Sequence, residues 1–132
     1  MTRMVGGAFL DLDRVVYGDL RAGELVNNLQ VLYLDGTFWR PSSPQTTATV
    51  PARGMAIQSA ASGAIVEVMT YGIASNSAWA LASGLVAFLG SGGNVIASAP
   101  TGSGNWVQRL GVALYVNVID FRPEIRPVQV GE

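Results

Sequence analysis

From residue 29 onward, apolar and polar positions alternate in short runs that turn residues interrupt at regular intervals. "LQVLYL" (29–34) is rich in branched and aromatic side chains, Asp35-Gly36 follows, and "TFWR" (37–40) resumes the pattern. Alternation on both sides of an Asp-Gly pair predicts a β-hairpin, because a tight turn needs residues that accept positive φ. Pro41 and the polar run "SSPQTTAT" stop the second strand. "GMAIQSA" (54–60) and "AIVEVMTYG" (64–72) read as a second hairpin that turns at Ser62-Gly63. In its second arm Ile65, Glu67 and Met69 point one way, and Val66, Val68 and Thr70 the other.

The second half repeats this scheme. "LVAFL" (85–89) is a strand, "GSGG" (90–93) a loop and "NVIAS" (94–98) the returning strand, ended by Pro100 and "TGSGN". "WVQRLGVALYVNVIDF" (106–121) reads as one long bent strand or two paired ones. "VLYLDGTFWRPSSP" (31–44) aligns with "VAFLGSGGNVIASAP" (86–100), and "RGMAIQSA" (53–60) with "LGVALYVN" (110–117), which sets Gly54 against Gly111. A duplicated hairpin unit over 29–72 and 84–121 would give this spacing, and so would any two hairpins of similar length. Residues 1–28 carry strand-like pieces, "AFLDLD" and "RVVYGDL", and are either an extended N-terminal arm or the first strands of the sheet. The tail, 122–132, holds two prolines and little to bury, so it is expected to lie extended on the surface. The fold expected is all-β, a compact antiparallel sandwich or barrel of short strands.

Charge changes this picture. No Asp, Glu, Lys or Arg stands between Glu67 and Arg109. A membrane-spanning helix would have to come from residues 78–99, but that window contains Gly90, Ser91, Gly92, Gly93 and Asn94 at its centre, and a span needs about 20 predominantly apolar residues. It reads as a hairpin, so no membrane partner is expected. Charged residues make up only 13% of the 132-residue chain, about half the usual share. Either the surface is neutral and polar, or partners cover much of it. Exposed strand edges point to the second explanation, since the chain has no lysine to blunt them.

Composition also removes chemistry. The chain has no Cys, His or Lys. The usual zinc and copper sites, thiolate and Ser-His-Asp nucleophiles, Schiff bases and P-loops all need one of these. The net charge is −1 and the eight arginines are scattered, which gives no basis for nucleic-acid binding. Asp11 and Asp13 share a strand face, the start of a calcium ligand set, but six to eight oxygens are needed and a solvated face explains the pair. Asp35, Glu67 and Asp120 are the carboxylates available for glycoside hydrolysis. Asp35 at its turn is explained by local backbone bonding. The glycine loops "GSGG" and "TGSGN" are followed by strands, where a phosphate cradle needs a helix. No catalytic residue, cofactor or metal is expected.

Trp39, Trp79 and Trp106 remain, because Trp anchors both interfaces and cores. Phe38 beside Trp39 puts aromatic rings on both faces of one strand, and one of them should meet something beyond its own sheet. Phe38, Trp39, Trp79 and Trp106 are therefore the expected interface residues. The order strand-"DG"-strand, "PARGMA", "GAIVEVMTYG", "LASGLVAFL", "APTGSG" and "VQRLGVA", over residues 29–121, resembles small β-rich virion proteins of tailed bacteriophages. Capsid decoration (cement) proteins and β-modules of tail fibres share this cadence. The resemblance implies a non-enzymatic structural protein, commonly a homotrimer, assembled in the host cytoplasm and fastened outside the major capsid protein shell. The alternative it leaves open is a tail-fibre or spike module that binds host surface glycan.

Overall fold

A computed structural model describes residues 2–5, 8–11, 15–124 and 126–131, with side chains from residue 15 onward. The described residues form fourteen strands. They are β1 (Thr2–Val5), β2 (Ala8–Asp11), β3 (Val15–Tyr17), β4 (Arg21–Ala22), β5 (Val31–Asp35), β6 (Phe38–Pro41) and β7 (Gly54–Ala56), then β8 (Val68–Ser75), β9 (Val86–Leu89), β10 (Val95–Ile96), β11 (Trp106–Val107), β12 (Arg109–Tyr115), β13 (Val118–Phe121) and β14 (Val128–Gln129). The only helical pieces among the described residues are three single 3-10 turns, at Thr47–Thr49, Ser77–Trp79 and Ser91–Gly93. The fold is all-β.

One sheet carries the architecture, in the order β10-β9-β12-β13-β8-β7-β5-β6-β4, with β3 also paired to β8. Its two ends do not pair with each other, so the sheet folds over itself as an open sandwich rather than a closed barrel. The order has an internal symmetry. In the first half β5 pairs with β6 and β7, and β7 with β8; in the second, β9 pairs with β10 and β12, and β12 with β13. The two four-strand sets share one connectivity and join through the antiparallel β8–β13 pair. Gly54 and Gly111 sit in the corresponding third strands, and a Cβ on either would strike the fourth, at Val68 and at the Asp120 carbonyl respectively.

The β5–β6 hairpin turns through Gly36-Thr37, because Asp35 is already paired with Phe38. Of the two turn residues only Gly36 takes positive φ, +62°, and Asp35 is left to pair with Arg40. The expected turn at Ser62-Gly63 forms, closed by the Ala64 N–H on the Ala61 carbonyl at 3.0 Å with Gly63 at φ +84°, but the ladder between the two strands stops well short of it. β7 pairs with β8 through Met55–Met69 and Ala56–Val68, so residues 57–67 make a long excursion between them. That excursion is tied down by the Val26–Ala60 and Arg21–Ile65 bridges. The long segment after Trp106 resolves into β12 and β13, paired through an Asn117 turn in left-handed conformation. The tail is not simply extended, since β14 returns to pair with β11. Residues 15–22 join the sheet as β3 and β4, while β1 and β2 form a separate hairpin. β4 pairs with β6 in parallel, the one departure from antiparallel pairing among the described residues.

Two cores result. The larger takes Val31, Met55, Met69 and Ala74 from the first half and Leu89, Leu110, Ile119 and Phe121 from the second, with Trp79 and Leu81 from the connection between halves. The smaller, on the opposite side of β5, β7 and β8, is built from Ala22, Val26, Leu32, Trp39, Ala56, Ala60, Val66 and Val68. Adjacent residues such as Val31 and Leu32, or Val68 and Met69, thus enter different cores. This is why period-two alternation fails there: both faces are buried.

Candidate functional site

The smaller core stops at the middle of the sheet. Over β9, β12 and β13 the inward side chains Ala87, Leu89, Leu110, Ala113, Ile119 and Phe121 fill the larger core. Their strand neighbours therefore point to the opposite face. Register sets Val112 between Val86 on β9 and Asp120 on β13, and Phe88 beside Ile96 on β10. Val112 is 45% exposed and Leu114 42%, and Leu85, Tyr115 and Val116 at the same end are exposed as well. An ordinary half-solvated antiparallel sheet carries polar residues on its outer side. Here that side is apolar, relieved by Arg109 and Asp120. A register shift between Ala113 and Tyr115 turns successive apolar residues outward at the hairpin tip.

The ends of the sheet offer less. Its terminal strands, β10 and β4, are two residues long each. Short edge strands present few free backbone groups, so docking by edge-strand pairing has little to work with. The face, not the edge, is the available surface.

Two concavities lie elsewhere. One, of about 530 Å³, is walled by Tyr17, Leu34, Trp39, Arg53, Tyr71 and Arg122. The Arg122 guanidinium lies 5.2 Å from the Tyr71 ring centroid and also holds Asp120 through two 3.1 Å hydrogen bonds. The other, of about 620 Å³, lies between residues 27–30, 76–80 and 93–97, and its polar lining consists of amide side chains.

No family model, curated protein or solved structure matches this chain. The site has to be read from its own residues.

Of the expected interface residues, Phe38 is on the surface, 40% exposed. Its neighbour Trp39 is 2% exposed and belongs to the smaller core. Trp79 is buried in the larger core, between the halves. Both rings are almost wholly enclosed by the sheet's two-sided burial, and each reaches the surface only where it borders a concavity, Trp39 the first and Trp79 the second. Trp106 is half-buried in β11, where its Nε1 donates to Thr47 Oγ1 at 3.3 Å and its backbone N–H to Pro44 at 2.7 Å. The four do not converge on one surface.

The carboxylates fare similarly. Asp35 is bonded to Arg40 at 2.8 Å and Asp120 to Arg122, while Glu67 stands exposed on the 57–67 excursion. Asp13 and the side chain of Asp11 lie outside the described residues. Among the described residues no group of three or more Asp or Glu side chains is placed to hold a metal ion, and no helix is long and apolar enough to cross a membrane. What the sequence reading passed over is "VALYV" (112–116), a run too continuously apolar for a strand with one wet face. It also passed over the amides of "VNNLQ" (26–30) and "SNSAW" (75–79), which look like ordinary turn residues until the fold brings them together.

Proposed function

We propose that the chain is a non-enzymatic structural protein of a virion, a decoration protein that lies on the outside of the major capsid shell and stabilises it. The observation that carries this reading is the apolar outer face of β9, β12 and β13. Apolar surface left in water is unfavourable by about 25 cal/mol per Å², and contiguous patches of this kind mark protein interfaces. The charge-poor composition and the strand cadence shared with phage virion proteins support the same reading. A covered face adds to others on a repeating shell, where many weak contacts sum to strong attachment. Docking then proceeds by face packing, through Val112, Leu114, Tyr115 and Val116 at the β12–β13 hairpin end of that face.

The test is co-expression with the major capsid protein of the same genome, followed by sedimentation and electron microscopy of the shells. The chain should co-sediment in fixed ratio, and Leu114→Lys with Val116→Lys should release it while leaving the monomer folded. A chain that stays monomeric and never accompanies shells is not a decoration protein.

A further inference from the structure

The second concavity goes beyond that reading. We propose that the cleft between residues 27–30, 76–80 and 93–97 is a binding site for a neutral saccharide. Its volume of about 620 Å³ falls within the range of small-molecule sites, roughly 300–1,000 Å³. Asn27, Asn28, Gln30, Asn76 and Asn94 supply its polar lining, with Trp79 and the Ala78, Ala80 and Ala97 methyls supplying apolar wall. No Asp, Glu, Lys or Arg lines it, so nothing there selects an anion or a cation.

An amide presents a carbonyl acceptor and an NH₂ donor side by side. Neighbouring hydroxyls of a sugar each donate and accept, so such a pair matches them without a net charge. The amides are set up for an outside partner. Gln30 is fixed at both ends, its Nε2 donating to Gly92 at 2.6 Å and its Oε1 accepting from the Asn27 N–H at 3.0 Å. Asn76 uses its Oδ1 to accept from the Ala78 N–H at 2.9 Å, which leaves its NH₂ without a partner among the described residues. The side chains of Asn27, Asn28 and Asn94 have no hydrogen-bond partner among the described residues, and all three are exposed at the rim.

The walls are also held rigid. A Cβ on Gly93 would lie 2.6 Å from both Gln30 Cγ and the Val31 carbonyl, so the 91–93 turn packs directly onto the 27–30 segment. Asn117 accepts from the Leu81 N–H at 2.7 Å and donates to the Ser77 carbonyl at 3.3 Å, which pins the 77–81 wall from behind. A pre-formed site loses less entropy when it binds.

The experiment is an array of neutral and acidic glycans probed with the full chain, followed by calorimetric titration of the best neutral ligand. Binding of a neutral glycan, unchanged between low and high salt, is expected. Asn28→Ala with Asn94→Ala should weaken it by about tenfold or more with no change in thermal midpoint. The Leu114→Lys, Val116→Lys chain should bind the glycan as before, because those residues lie outside the cleft; loss of shell docking alone leaves this site standing. Three results would overturn the proposal: no neutral glycan bound, acidic glycans bound in preference, or binding undiminished in the double alanine variant. A peptide ligand that competes for the same residues would replace it with another class of partner.

Discussion

The side chain of Gln108 pairs with the backbone of Ala52 as another strand would. Its Oε1 accepts from the Ala52 N–H at 2.7 Å and its Nε2 donates to the Ala52 carbonyl at 2.8 Å. The second Nε2 hydrogen goes to the Glu124 carbonyl at 2.7 Å. Gln108 is wholly buried, and this one amide ties the loop before β7 to the segment after β13. Gln108→Leu keeps the volume and orphans three backbone groups at once, so a loss of about 2–4 kcal/mol is expected in urea denaturation. Gln108→Glu should be no better, since an ionised carboxylate cannot donate to either carbonyl. A Leu variant within about 0.5 kcal/mol of the parent would show that the clamp contributes little.

Gly111 and Gly36 separate two causes of glycine dependence. Both have positive φ, +151° and +62°. A Cβ at Gly36 meets open space, whereas one at Gly111 would lie 2.0 Å from the Asp120 carbonyl oxygen. Gly36→Ala should therefore cost about 1 kcal/mol, the left-handed backbone penalty. Gly111→Ala must break the β12–β13 pairing, and a thermal midpoint depressed far more than that of Gly36→Ala is expected. Equal midpoints for the two variants would contradict the close approach.

Asn117 combines a strained backbone, φ +59°, with two side-chain hydrogen bonds to the 77–81 segment. Replacement by Gly relieves the strain but loses both bonds; replacement by Ala loses the bonds and keeps the strain. Ala should be the more destabilising by about 1 kcal/mol. If the wall it supports shapes the cleft, both variants also weaken saccharide binding at temperatures where the fold is intact.

Trp39 is buried with an indole N–H that has no acceptor among the described residues. Trp39→Phe removes that donor along with part of the ring, so the lost packing is partly offset by relief of an unsatisfied group. The change should cost clearly less than Trp39→Ala, for which about 3–5 kcal/mol is expected. Equilibrium unfolding of the two variants checks the order, and a Phe variant as damaged as the Ala one would mean the N–H does find a partner.

The sequence made the two hairpins, β5–β6 and β9–β10, readable because alternation and turn chemistry are local. The spacing that aligned Gly54 with Gly111 also pointed to a shared strand order. What the sequence hid depends on distant pairings. Ala60 and Val66 leave the expected hairpin because Val26 and Ala22, far back in the chain, close the smaller core around them. Trp39 reads as an anchor for a partner until a second layer is known to cover it. The outer face of β12 was hidden in "VALYV", because only the pairing register shows which side each residue takes. The amide cleft was not legible at all, since its three loops come from separate parts of the chain and each looks like ordinary turn sequence.

The larger core draws Val31, Met55 and Met69 from one half and Leu110, Ile119 and Phe121 from the other. Neither four-strand set, severed in the connection between Ser75 and Val86, would retain enough apolar partners to fold alone. Mixed together, the fragments should reassemble along the β8–β13 seam, so the molecule lends itself to being split into complementing pieces.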